Sequence, residues 1–411
     1  MRAIGRVSRG FCLVVTIWAA AGPSVAAPSW SPPEVVATVP YLTGGAAATN
    51  GSTSAVVFAT GVATLNQFEI QAVVRTGSAW GSPAVLETPY LYAVNFTVAV
   101  APNGDVLAAW RYDATTAADS GVAQVALYTA GHWGAPLTIS TAGQNPGMPS
   151  IAFDGQSLAT VVWEQNTSSS TCALKAIRSN AGHTFGAAQT IAGTCYGFVN
   201  LAVNSVGQAV VTQGASGIKT APIVAVSRDA NGVWAAPVTL ATSVYRQRQP
   251  KVGLGNEGTA VVVWLTNAGV SYASRSNGTW SAAAPLPGVL AGRAGGVSGV
   301  AVDAGGNALA TFTLTSLTPG VFATYRPVNG SWQASVQLPA GPIPVRSTPA
   351  GTFVVGSGST VATRAAGSSS WTSTEFTNDS VVDVAAGSGT AIVTLAGVAP
   401  NSIAVSTEKV P

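Results

Sequence analysis

The chain has 411 residues, 47% of them hydrophobic and only 8% charged, with 18 basic and 15 acidic side chains. Charge this sparse gives no basic field able to neutralise a run of phosphates, which excludes nucleic acid as a partner class. Abundant Gly, Ala, Val, Thr and Ser with regular turn signals predict an all-β protein.

At the start, Arg2, Arg6 and Arg9 precede an apolar run from Phe11 to Ala21 and then small residues, the three-part pattern of a secretory leader, with cleavage expected after Ala26. The run is too short for a membrane helix, and no later segment reaches the roughly 18 apolar residues one requires. Removal of the leader leaves 15 basic and 15 acidic side chains, a net charge near zero. The expectation is a secreted or periplasmic monomer with no membrane span, a leader over 1–26 and a single domain over 27–411.

From there one phrase repeats. Turn-plus-aromatic positions fall at Trp30, Trp80, Trp133, Phe185, Trp234, Trp280, Trp332 and Trp371, with steps of 50, 53, 52, 49, 46, 52 and 39 residues. A second register lies inside the unit, because Trp110, Trp163 and Trp264 each follow Trp80, Trp133 and Trp234 by 30 residues, with Phe58 and Phe312 in similar places. The unit beginning at Trp234 reads as four strands, "WAAPVTLA", "QPKVGLG", "TAVVVWLT" and "GVSYASRS", before "NGTW" restarts the cycle. Turns such as "PNGD", "GNEG" and "AGGN" tolerate the positive φ of tight hairpins. Four short antiparallel strands per unit of this length predict the blades of a β-propeller. The segment after Trp30 supplies one strand and the C-terminal segment three, so both are expected in one blade that closes the ring and removes its edges. That count gives eight blades; the short last step leaves seven as the alternative. Each repeated tryptophan is expected to start an outermost strand and to pack between blades.

Two of the turns carry more. "SRDANGVW" at 227–234 and "RSNAGHTF" at 178–185 resemble the Asp-box of sialidase-like propellers, a Ser-x-Asp-x-Gly-x-Thr-Trp turn between the third and fourth strands of a blade. Ser227, Asp229, Gly232 and Trp234 approximate the pattern, and Asn180, Gly182, Thr184 and Phe185 match it with asparagine for aspartate. The resemblance implies a propeller, and in that family the Asp-box itself is a structural turn. Sialidase chemistry would need three arginines on a carboxylate, a tyrosine nucleophile paired with glutamate and an aspartate acid/base. The family's N-terminal Arg-Ile-Pro is absent, and Tyr325–Arg326–Pro327 falls on a strand leading into a turn.

No other catalytic set assembles from the sequence. His132 and His183 sit in turns before an aromatic, no Gly-x-Ser-x-Gly is followed by a suitable histidine, and no His/Cys cluster has metal spacing. Asp105 and Asp303 read as turn-formers. No cofactor is expected. By strand parity the longer connections share one face, which collects Tyr90, Tyr92, Asn95, Arg111, Tyr112, Asp113, Asp119, Glu164, Tyr196, Tyr245, Arg246, Arg248, Lys251, Arg293 and Arg346. Of these, Arg111, Tyr112, Asp113, Glu164, Tyr196, Tyr245, Arg246, Arg248, Lys251, Arg293 and Arg346 are the candidate ligand-binding residues, a mildly cationic, aromatic mouth. The expectation is an exported, non-enzymatic binding module for a glycan or protein ligand; a sialidase-like or other glycan-cleaving enzyme and a structural envelope component are the alternatives. Cys172 and Cys195, the two cysteines outside the leader, are expected to pair in an oxidising compartment.

Overall fold

The computed structural model describes residues 30–39, 42–62, 67–90, 96–113, 115, 121–167, 171–214, 221–244, 250–287, 289, 294–315, 320–338, 345–376, 380–396 and 402–409. Its strands form eight antiparallel sheets arranged as the blades of a propeller. Blade one begins with the innermost strand Leu42–Thr49, continues through Thr53–Val62 and Gln67–Thr76, and ends outside with Ala79–Trp80 and Ala84–Tyr90. Blade five shows the repeat as the sequence predicts it, with Lys251–Leu254 innermost, then Ala260–Thr266 and Gly269–Ser276. The count settles at eight rather than seven because the shortest unit still supplies a complete sheet, Val345–Ser347, Phe353–Ser357, Thr360–Arg364 and Thr372–Glu375.

Closure uses both distant parts of the chain. Ser380–Gly387, Thr390–Ala396 and Ser402–Lys409 form three strands of the eighth blade, and Glu34–Thr38 adds the outermost, with Glu34 opposite Val405 and Thr38 opposite Ser402. Ser31 extends the seam by donating its backbone N–H to the Thr407 carbonyl at 2.8 Å.

The two aromatic registers do different work. Trp110, Trp163, Phe58 and Phe312 are fully buried in second strands, and Trp264 is 1% exposed. The turn aromatics are mostly half-buried, and each seals the apolar cluster between its own blade and the preceding one. Trp80 packs on Phe58, Val73, Ile392 and Ile403, and Trp234 packs on Val162, Ile191, Val211 and Val226. A fully buried tryptophan contributes on the order of 2–3 kcal/mol, so these contribute less. Three of them stack with an arginine from the end of the third strand: Arg75 over Trp80 at 5.6 Å, Arg228 over Trp234 at 5.3 Å and Arg326 over Trp332 at 5.4 Å. Such stacks add about 0.5–2 kcal/mol each. Burial holds all three guanidinium groups below their ordinary range, Arg228 at about 10.

The Asp-box-like turns connect third and fourth strands, as the motif requires. Asp229 Oδ1 accepts the Val233 N–H at 2.8 Å, and Asn180 Oδ1 accepts those of Gly182 and Thr184 at 2.9 and 3.1 Å. Cys172 and Cys195 form a disulfide with their Cα atoms 5.6 Å apart, tying a third strand of blade three to the connection into blade four. Loop-closure entropy assigns such a link roughly 3 kcal/mol. No helix among the described residues is long and apolar enough to cross a membrane.

Two stability predictions follow from the closing blade. Deleting residues 1–40 should strip its outer strand, leave the strand Ser402–Lys409 as an open edge, and lower the thermal midpoint; an unchanged midpoint in calorimetry would contradict the closure. Glu408, on that same strand, is 3% exposed, its Oε2 has no hydrogen-bond partner among the described residues, and burial pushes its carboxyl up to about 7. Because the folded state favours the protonated form, stability is greatest below the ordinary carboxylate pKa and is lost as the pH rises towards 7. Glu408→Gln should therefore raise the melting temperature at pH 8 and leave it nearly unchanged at pH 4.5.

Candidate binding site

The first-to-second connections of all eight blades and the third-to-fourth connections of blades one to seven lie at one end of the ring, and the second-to-third and blade-to-blade connections, which include the long ones, lie at the other. The hairpin tips of all eight blades surround a cavity of about 800 Å³ on the central axis. Its polar side chains are largely taken up in holding the tips. Asp154 Oδ1 accepts the N–H groups of Gln156 and Leu158, both at 2.9 Å. Asn204 Nδ2 donates to the Gly255 carbonyl of the next blade at 2.9 Å, and Asn50 Nδ2 to that of Ala101 at 2.7 Å. This opening lies at the end opposite the long connections.

The chemistry that is not absorbed by turns lies on the innermost strands. Their penultimate residue is Ala48, Ala99, Ala152, Ala202, Gly253, Ala301, Arg346 and Ala386 in blade order. Crowding explains the small residues, since a Cβ on Gly253 would lie 2.8 Å from the Val302 backbone nitrogen of the next blade. Arg346 departs from this rule, and its side chain keeps 42% of its exposure. Its Nη2 stands 3.8 Å from Asp383 Oδ1 on the innermost strand of blade eight. Asp383 is buried; its other oxygen accepts the Ala47 N–H of blade one at 2.9 Å, and burial pushes its carboxyl up. Lys251 opens the innermost strand of blade five, and burial together with the positive charge of Arg346 lowers its ammonium to about 8. Two cations thus share a field across blade six, whose inner strand, Ala294–Val302, carries Gly295, Gly296 and Gly299.

The remaining sequence candidates divide into two groups. Tyr92, Asn95, Asp119, Tyr245, Arg246, Arg248 and Arg293 lie outside the described residues. Arg111, Asp113, Glu164 and Tyr196 are placed, and they brace connections. Arg111 donates to Asp113 Oδ1 at 2.8 Å, Asn145 Oδ1 at 2.7 Å and the Pro146 carbonyl at 2.8 Å, pinning the approach to blade three. Tyr112 packs its ring on the cluster between blades one and two, and burial raises its phenol. Glu164 Oε1 accepts the N–H groups of Tyr196 and Gly197 at 3.2 and 2.8 Å and the Gln213 amide at 3.0 Å. Consecutive backbone N–H groups form an anion nest here, and the anion is a side chain of the protein itself. Burial raises the Glu164 carboxyl, against the lowering effect of these three donors.

Sequence reasoning did not find Asp383, which sits in an apolar stretch, "SVVDVAAG", with no motif around it. Aligning inner strands rather than tryptophans would have exposed both it and the anomaly at Arg346. Among the described residues no group of three His, Cys, Asp or Glu side chains is placed to hold a metal ion.

No family model matches the chain, and no curated protein matches it. Solved structures do. The polysaccharide lyase Uly1 is 10% identical with a TM-score of 0.50, over 91% of this chain and 91% of its own. A protein of unknown function from Dyadobacter fermentans is 12% identical with a TM-score of 0.45, over 78% and 95%. The Hadza microbial sialidase Hz136 is 12% identical with a TM-score of 0.40, over 72% and 65%. At these identities the likeness is one of fold alone.

The nest around Glu164 predicts a mutational asymmetry. Glu164→Ala strands three donors; an unsatisfied buried donor costs about 1–3 kcal/mol, and because these are only part-buried and water can reach them, the variant should lose roughly 2–4 kcal/mol in urea denaturation. Glu164→Gln keeps an acceptor oxygen and should lose distinctly less.

Proposed function

We propose that the chain is an exported, non-enzymatic binding propeller that takes an acidic ligand at the centre of its ring. The observation that carries this reading is Arg346, a half-exposed guanidinium at a position that the other seven blades fill with Ala or Gly, in the field of Lys251. In a chain with few charges the two cations give this part of the ring a positive field, which an anionic group would match. Lys251 stands where the long connection reaches blade five, so a ligand would approach from the face that the sequence singles out. Asp383, 3.8 Å from Arg346, is its internal counter-ion. Glu164 and Asp113, carboxylates that a glycan-cleaving enzyme would need free in a pocket, are held by the Tyr196–Gly197–Gln213 and Arg111 contacts, which supports binding over hydrolysis.

Titration calorimetry with uronate-containing and neutral oligosaccharides tests this. Binding should favour the acidic members, fall about tenfold or more in Arg346→Ala and in Lys251→Met, and weaken as the pH rises from 7 to 9 because Lys251 loses its proton near 8. Indifference to both substitutions, or turnover of a fluorogenic sialoside by the wild type, would refute the reading.

A further inference from the structure

The connection from blade three to blade four, "GTCYGFV" over residues 193–199, is held more tightly than its length demands. Cys195 ties it to Cys172, Glu164 receives the N–H groups of Tyr196 and Gly197, and the Gly197 carbonyl accepts the Gly214 N–H at 3.2 Å. These restraints set two successive residues at positive φ, Gly197 at 85° and Phe198 at 42°. Glycine suits such a place. Phenylalanine does not, because its Cβ crowds the backbone there.

Among the described residues seven non-glycines have positive φ: Ala130, Asn145, Ser157, His183, Phe198, Asn277 and Asn329. Six are small or are polar turn residues that commonly visit this region. Phe198 is the one large apolar side chain. Burial covers the ring only in part, leaving the residue 38% exposed, while its neighbour Val199 turns into the cluster between blades three and four. Local conformation favours Gly or Asn at 198, yet the position carries an aromatic ring left partly open to solvent, where a ligand can reach it.

Its position suggests what that ligand is. Two residues on, Asn200 opens the innermost strand of blade four, and its Oδ1 accepts the N–H of Val252, the residue after Lys251. Phe198 thus stands at the long-connection end of the ring, two residues before the one that meets the strand carrying Lys251. Tyr196, half-buried, lies on the other side of Gly197. We infer that Phe198 is a preorganised stacking platform for a sugar ring at the end of the ring where Lys251 opens its strand, so that the ligand is an acidic oligosaccharide held by its charge towards Lys251 and Arg346 and by the face of another of its sugars on Phe198. The inference rests on the binding reading above and narrows its ligand class. A rigid aromatic displayed on a restrained loop suits the apolar face of a pyranose, because little conformational freedom is lost when the ring docks.

The test uses the full chain with Phe198→Gly and Phe198→Trp, against sodium D-glucuronate, a hyaluronan tetrasaccharide and hexaglutamate. Phe198→Gly should keep or raise the melting temperature, bind glucuronate within about twofold of the wild type, and lose about tenfold in tetrasaccharide affinity. Phe198→Trp should retain that affinity. Loss of thermal stability in Phe198→Gly would show a structural role and overturn the inference, as would unchanged tetrasaccharide binding. Equal Phe198 dependence for hexaglutamate would overturn the saccharide assignment. Glucuronate binding that depends on Arg346 but tetrasaccharide binding that ignores Phe198 would refute the platform alone; no binding of any of the three by the wild type would refute both readings.

Discussion

A four-stranded antiparallel sheet a few residues deep has two apolar faces, and neither can be hidden within one blade. Each apolar cluster of the structure is accordingly shared by two neighbours: Trp110 packs with Val57 and Ile70 of the blade before it, and Phe312 with Val261 and Val263 of the blade before it. The ring depends on this sharing, because a blade without a neighbour would expose a face of Val, Ile and Leu to water. The half-buried turn aromatics seal the rim of each shared cluster, and the arginines above them let the rim meet solvent without leaving an indole face bare.

The same sharing constrains the centre. Where eight innermost strands converge, side chains must be small, and the Ala and Gly series from Ala48 to Ala386 is the result. A regular repeat acts as its own control, so a residue that departs from the rule stands out without reference to any other protein. Arg346 departs in size and charge, and Asp383 departs in charge at the strand beside it. Phe198 departs differently, by occupying a backbone conformation its side chain disfavours.

Most of the architecture was legible in the sequence because its signals are local and repeated: turn, aromatic and strand recur with a fixed step, and "SRDANGVW" folds as its resemblance implies, with Asp229 capping its own turn. Cys172 and Cys195 were legible because only one pairing was open to them. The site was legible only in part. Arg346 and Lys251 could be nominated as cations in long connections, but their mutual field spans blade six and depends on strand register, which residue spacing does not encode. Arg111 and Glu164 had the chemistry of ligand contacts and turned out to hold backbone, since a side chain that binds a carbonyl or an N–H group looks the same in sequence as one that binds a ligand. Phe198 could not have been singled out at all, because its unusual feature is a dihedral angle.

The seam between Glu34–Thr38 and Ser402–Val405 joins segments more than 360 residues apart. Contacts so distant in sequence form late, since the intervening loop entropy must be overcome first. Synthesis makes the outer strand of the eighth blade before any of the others and its three partners last. Until those partners exist the strand has nothing to pair with, and blades one to seven can stack only as an open arc with bare apolar faces at both ends. Completion of the ring is thus a single final event, and interruption of the chain anywhere before residue 402 leaves a product that cannot close.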